Sequence, residues 1–390
     1  MWFYVGVSFM ALLSMLDMAI FTYIGFTFRV SPIYYSVVAA SWSIVYIIVN
    51  KFLSGLGNSG RNKSLMGIAF FSITSSLILF SGNTLYTVTL AYMFHAVAVS
   101  SANLAMSTSI YELFDSSAWS KYSTLQRILQ NLLRGSTLIV ISSGIVSASL
   151  YNVLMLASLL GALSLLILPP ITLGIERKLH MLGKGVNSLI GFASSRGILT
   201  AAIDSVGDIS SRALGFWNSS RTVPSRGRIM VSVLLAVATG DFVFTAMPLL
   251  VKTSLPLSEY WMAQGITGIT VAVGGLVISR MLSGNRKVAI SIIALRGLWL
   301  SLAMPLMYKE ETLILYLIGM YFLGLAMDAS LFNLYSESSS GYGTHSYFIS
   351  RELGTLIGSL LAGLVLASGI KEAIFIFPII FTVSSAIQLL

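Results

Sequence analysis

Five ionisable side chains stand inside otherwise apolar stretches, and their chemistry is where a reading of this sequence starts. Asp17 lies in "MALLSMLDMAIF", His95 in "AYMFHAVAVSS", Asp241 in "AVATGDFVFTA", Arg296 in "SIIALRGLWL" and Asp328 in "LGLAMDASLF". A charge held near the centre of a bilayer costs several kcal/mol even on lenient insertion scales, so each is a candidate for function by default. A carboxylate or imidazole at that depth can take up and release a proton or bind a cationic group, and a carboxylate beside a guanidinium can pair with it. At 1.5 Å per residue, Asp17 and Asp241 lie roughly 18–22 Å from the inner ends of their spans, close to the midplane. Arg296 and Asp328 come out at a common depth of about 10–14 Å on consecutive spans, which predicts a structural ion pair.

The elements that position these groups follow from composition. Of 390 residues, 56% are hydrophobic and 9% charged, against roughly a quarter charged in soluble domains, and the mean hydropathy is +0.87. With about 20 apolar residues per crossing, the charges divide the chain into spans at roughly 2–28, 32–54, 64–82, 84–110, 124–148, 150–169, 229–251, 256–281, 288–307, 312–335, 347–369 and 372–390. Segments such as "GLVLASGIKEAIFIFPIIFTV" are apolar on every side, whereas the strands of a membrane barrel alternate, so the spans are read as helices. The absence of cysteine removes disulfides, thiolate nucleophiles and thiolate metal sites together. "MWFYVGVSFM" has neither a basic leader nor a small-residue cleavage site and is read as the start of an uncleaved span.

The formal charge of +9 reports orientation before it reports nucleic acid. Eighteen of the 23 Lys and Arg fall in the loops and helix ends on one side. Four, Arg29, Lys252, Lys309 and Lys371, fall on the other, and Arg296 is left within a span. Basic residues favour cytoplasmic loops, so both termini are expected in the cytoplasm. Shifted by 224 positions, the second half pairs Asp17 with Asp241, Pro32 with Pro256, Gly60 with Gly284, Lys63 with Lys287 and Arg127 with Arg351. "SGRNK" at 59–63 therefore returns as "SGNRK" at 283–287. An even number of spans per repeat makes the repeats parallel, related by an axis along the membrane normal. The expected organisation is an N-terminal six-helix bundle over 1–169, a cytoplasmic linker over 170–228, and a C-terminal six-helix bundle over 229–390. Within the linker, Ile198, Ala202, Val206, Ile209, Ala213 and Phe216 recur at helical spacing, which reads either as an amphipathic helix on the membrane surface or as a flexible tether.

This pattern resembles the major facilitator superfamily, in which twelve helices form two parallel halves around a long central loop. "LSGLGNSGRNKSL" (53–65) keeps Gly60, Arg61, Lys63 and Leu65 of the family's loop between helices 2 and 3, with Gly57 where the family has an aspartate. "YELFDSSAWSKYSTLQRILQNLLRG" (111–135) is similar to the family's connection between helices 4 and 5. The resemblance implies that the first, fourth, seventh and tenth helices line a central cavity, making Asp17, Asp241 and His95 candidates for proton coupling or substrate binding. It makes Gly60, Arg61, Lys63, Gly284, Arg286 and Lys287 gating-loop candidates, and Arg127 and Arg351 gate candidates at the starts of the fifth and eleventh helices. For those two arginines, lipid anchoring is the plain alternative, and for His95 it is packing. Small residues at Gly354, Gly358 and Ala362, and at Gly268 and Ala272, have the spacing of close helix contacts.

The expected function is alternating-access secondary transport of a small solute, coupled to protons, with drug or metabolite export favoured. The alternatives are a passive facilitator or channel, or a non-transport membrane sensor or lipid-handling protein. No phosphate-binding glycine loop, zinc-binding histidine pair or repeated aspartate motif is present, so neither an enzyme nor a cofactor is expected. The expected partners are a small-molecule substrate, protons and membrane lipids, without nucleic acid, for a monomer in the plasma membrane.

Overall fold

The computed structural model describes residues 1–114, 119–144, 149–171, 224–281, 286–339, 344–370 and 373–390. All regular structure among them is helical: α1 (Trp2–Thr27), α2 (Pro32–Asn58), α3 (Asn62–Phe80), α4 (Leu85–Leu113), α5 (Trp119–Ser142), α6 (Leu150–Ile167), α7 (Arg226–Val251), α8 (Leu257–Met281), α9 (Arg286–Ser301), the short α10 (Ala303–Leu306), α11 (Glu310–Ser339), α12 (Thr344–Ser368) and α13 (Ala373–Leu389). Eight of these are long and apolar enough to cross a membrane: α1, α2, α3, α4, α6, α7, α11 and α12. Shorter apolar helices cover Ile128–Ser142 and Ala373–Leu389. Large apolar side chains such as Phe52, Phe71, Ile78, Leu298 and Leu364 are exposed. On a water-soluble protein such a surface would be an aggregation hazard; here it faces lipid. The linker segment with its periodic apolar residues lies outside the described residues.

Local signals explain where the helices start and stop. Ser31 caps α2 by accepting from the Tyr34 backbone N–H, with Pro32 at the first helical position. Thr84 and Thr87 form a reciprocal capping box at the start of α4. The basic loop at 59–63 is a helix-ending turn. Gly60 has φ of +69°, its N–H bonds to the Gly57 carbonyl at 3.0 Å, and the Arg61 N–H bonds to the Leu56 carbonyl at 2.9 Å. These two bonds make a Schellman motif with Gly60 at its left-handed position, so a side chain there would strain the turn. The next residue, Asn62, is buried and donates to the Ser109 hydroxyl at 3.0 Å and the Pro169 carbonyl at 2.9 Å, tying the starts and ends of α3, α4 and α6 together.

Among α1 to α6 the most extensive contact is α3 on α4, and among α7 to α13 it is α12 on α7. Two crossings join the groups, α5 against α8 and α2 against α12, with lesser contacts of α1 with α7 and α8. Residues 1–170 and 224–390 accordingly form one compact unit. Trp2 packs at a tilt against Phe114, Ser232 bonds to Ser385 at 2.9 Å and Arg286 bonds to the Leu390 carbonyl; because the far ends of α1 and α7 meet through Lys252 and Gly25, the chain ends share a face.

Candidate functional site

On the face away from the chain ends, the two groups of helices touch closely. Trp261 Nε1 donates to Thr22 Oγ1 at 2.8 Å, Lys252 Nζ donates to the Gly25 carbonyl at 3.3 Å, and Phe21 lies parallel to Phe244 with ring centroids 6.0 Å apart. A methyl on Gly363 of α12 would overlap Ser36 of α2. Toward the chain ends the same helices leave polar groups reachable. The Arg351 side chain is 44% exposed and that of Asp328 25%, and Asp17, Asp241, Arg134 and Glu352 are partly exposed. The groups thus touch on one face, and charged side chains keep partial exposure toward the other.

The two repeat-related aspartates occupy matching places. Asp17 is ten residues before the end of α1 at Thr27, and Asp241 ten before the end of α7 at Val251, or about 15 Å from that face for each. Asp17 accepts a hydrogen bond from the Tyr92 hydroxyl at 3.0 Å, and Asp241 accepts one from Thr355 Oγ1 at 3.0 Å. The two carboxylates lie within electrostatic reach of each other. Their surroundings differ. Arg134 of α5 acts on Asp17, whereas Arg296 of α9 and Arg351 of α12 act on Asp241.

His95 is buried and turned into the packing between α4 and α1. Its Nε2 lies 2.8 Å from the Leu13 carbonyl oxygen. That oxygen can only accept, so Nε2 carries a hydrogen. Nδ1 is buried without a partner, and the ring lies parallel to that of Tyr92, the residue that holds Asp17.

The expected pair of Arg296 with Asp328 is corrected by the geometry. Arg296 NH1 donates to the Ala236 carbonyl at 2.7 Å and lies 3.1 Å from Met327 Sδ. Its guanidinium rests so closely on Gly240 that a methyl there would overlap it. Asp328 instead pairs with Arg351 NH1 at 3.5 Å and accepts from the Tyr347 hydroxyl at 2.7 Å. Equal depth on consecutive helices did not select the partner, because α12 brings Tyr347 and Arg351 against the same stretch of α11 while α9 turns Arg296 onto α7.

Among the gate candidates, Arg61 and Lys63 are exposed on the loop, and Arg286 reaches the chain end. Lys287 is exposed at the start of α9. Gly284 and the side chain of Arg127 lie outside the described residues. Arg351 sits seven residues into α12, paired with Asp328. Two groups that sequence reasoning left aside join the site. Arg134, counted there with the basic residues of the inner side, is fifteen residues into α5, about 22 Å along it, with its guanidinium 5.7 Å from the centre of the Tyr321 ring. Glu352, next to Arg351, lies within electrostatic reach of both aspartates. The signal for Arg134 was present, since it lies ten residues inside the span expected at 124–148.

No protein-family model and no curated protein matches this sequence. Solved structures do match its fold over essentially the whole chain. A POT family transporter in complex with a thioalcohol-conjugated peptide superposes with a TM-score of 0.66 at 10% identity, covering 100% of this chain and 94% of that one. A peptide transporter POT bound to alafosfalin gives 0.67 at 11%, covering 100% and 93%. The partially occluded inward-open xylose transporter XylE from E. coli gives 0.64 at 14%, covering 98% and 95%. The chain has the major facilitator fold.

Proposed function

We propose that this chain is a secondary active transporter, in which a six-helix bundle over 1–169 and another over 229–390 rock about a shared site to move a small solute, with protons exchanged at Asp17 and Asp241. The observation that carries the reading is the placement of these two carboxylates. They lie at matching depth on α1 and α7 and are partly exposed, while Trp261, Lys252 and the Phe21–Phe244 stack join the two groups of helices on the face away from the chain ends. A carboxylate reachable from one side at a time can bind a proton there and release it on the other. The bias of Lys and Arg toward one set of loops supports a cytoplasmic location for both termini and for the linker 170–228, in the plasma membrane. Export of a drug or metabolite is the favoured direction.

The test is transport by purified protein in proteoliposomes with an imposed proton gradient, comparing wild type with Asp17→Asn and Asp241→Asn. Asparagine keeps the shape and removes the titrating group. Gradient-driven flux is expected to vanish in at least one variant while exchange without a gradient persists. Full gradient-driven flux in both variants would sink the assignment, and flux indifferent to the gradient in wild type would indicate a passive facilitator.

A further inference from the structure

Three helices, α1, α5 and α7, bring charged groups toward Tyr321 of α11. Tyr321 of α11 lies under the Arg134 guanidinium of α5 and within electrostatic reach of both Asp17 of α1 and Asp241 of α7. The two carboxylates each have a neutral hydroxyl donor, from Tyr92 and Thr355. Arg134 is less well provided for: its Nε is buried with no hydrogen-bond partner, and the Tyr321 face is its one close contact described. Gln264 of α8 adds a second unsatisfied group. Its Nε2 donates to the Tyr260 hydroxyl at 3.1 Å and its amide also lies beside the Tyr321 hydroxyl, while its buried Oε1 makes no hydrogen bond of good geometry. Gln264 and Arg134 adjoin Gly265 and Gly135, whose backbones are in contact where α8 crosses α5.

A buried guanidinium donor without an acceptor is costly, and a carboxylate is the acceptor whose geometry matches it. The same space is faced by two carboxylates. A plain anion would gain Arg134 but meet two negative groups, and a plain cation would gain the aspartates but leave Arg134 unsatisfied. A solute carrying both charges satisfies both poles at once. Resting on the transport reading above, we propose that the substrate is a small zwitterion, its carboxylate held by Arg134 over Tyr321 and its ammonium group by Asp17 and Asp241, with Gln264 Oε1 accepting from a donor on the solute. Arg134 is thereby a specificity-determining residue.

The test uses the purified full chain in detergent and reads the thermal unfolding midpoint against ligand concentration. The zwitterionic probes are alanine, β-alanine, γ-aminobutyrate, ε-aminocaproate and glycylglycine, set against propionate, butyrate, propylamine and butylamine. At least one zwitterion is expected to raise the midpoint where the single-charge relatives at equal concentration do not. Arg134→Gln should weaken that response about tenfold or more, the loss of one charge-assisted contact, and Arg134→Lys should recover part of it. If no zwitterion shifts wild type, if the amines or the carboxylates bind as well, or if Arg134→Gln binds as tightly as wild type, the inference is overturned. The wild-type comparison decides even if the variants do not fold. Proton movement in proteoliposomes separates the two readings: if butylamine drives Asp17- or Asp241-dependent proton flux that Arg134→Gln leaves intact, transport stands and the zwitterion falls.

Discussion

The ion pair between Arg351 and Asp328 makes a quantitative prediction that a pairing of Arg296 with Asp328 would reverse. Two unit charges 3.5 Å apart attract by about 5 kcal/mol at an effective dielectric constant of about 20. The side chains are 44% and 25% exposed, so water screens the pair and the net coupling should fall to about 1 kcal/mol, the upper end for exposed pairs. The perturbations are Asp328→Asn, Arg351→Gln and Arg296→Gln, singly and in the two double variants with Asp328→Asn. Asparagine keeps an oxygen for the Tyr347 hydroxyl, which donates to Asp328 Oδ1, so the cycle isolates the charge. Unfolding in mixed micelles with rising SDS, followed by loss of helical circular dichroism, gives the free energies. The Arg351 cycle should show about 1 kcal/mol of coupling and the Arg296 cycle close to additive losses. Arg296→Gln alone should cost a few kcal/mol, since it strips the contact with Gly240 and the bond to the Ala236 carbonyl. A larger coupling to Arg296 than to Arg351 would refute the assignment of partners.

Other outcomes follow from the packing. A Cβ at Gly354 would lie 2.5 Å from the Leu234 carbonyl, so Gly354→Ala should destabilise by about 1–3 kcal/mol in the same unfolding assay, and Gly358→Leu, which overlaps Ala238, should prevent recovery of folded protein. His95→Gln keeps a donor for the Leu13 carbonyl and should retain near wild-type stability, whereas His95→Phe leaves that carbonyl without it and should cost about 1–3 kcal/mol, with gradient-driven transport still present in the Gln variant. Trp261→Phe removes the bond to Thr22 on the closed face. At about 1 kcal/mol it should raise, by about fivefold, the rate at which a cysteine replacing buried Thr245 is labelled from that face; an unchanged rate would mean that this contact does not help hold the face shut.

Much of this arrangement could be read from residue order alone, and the reasons for the misses are specific. Asp17 and Asp241 stand at the same distance from the ends of their helices because the 224-residue offset preserves helix register. The small-residue stripe on α12 does meet backbone, at Leu234 and Ala238 of α7, because residues four apart share a face. The partner of Asp328 was not legible. Choosing between Arg296 and Arg351 depends on which way a side chain leaves its helix, and depth along the membrane carries no such information. Arg134 was missed for a related reason: it was grouped with the basic helix ends although the expected span began at 124, and the helix in fact starts at Trp119, fifteen residues before it. The repeat also hides a difference. The position of α3 equivalent to Arg296 at the 224 offset is Ser72, so matching frames carry unlike charges and the two aspartates have unlike surroundings.

The crossing of α5 over α8 has a mechanical consequence. A Cβ at Gly135 would lie 2.6 Å from the Gly265 carbonyl oxygen, and Gly268 sits 3.3 Å from the Gly135 Cα on the same measure. Here the backbones come together at glycines, with Ile139 and Ile269 packed beside them, so fewer side-chain ridges mesh than at most helix contacts. Meshed ridges resist rotation, because each must climb out of its groove before the next position is reached. A contact made mostly through glycines can roll with little change, so under the proposed rocking this crossing would serve as a plain bearing. Any large side chain set into it would be grit: the assembled shape could survive, and the turning would stop.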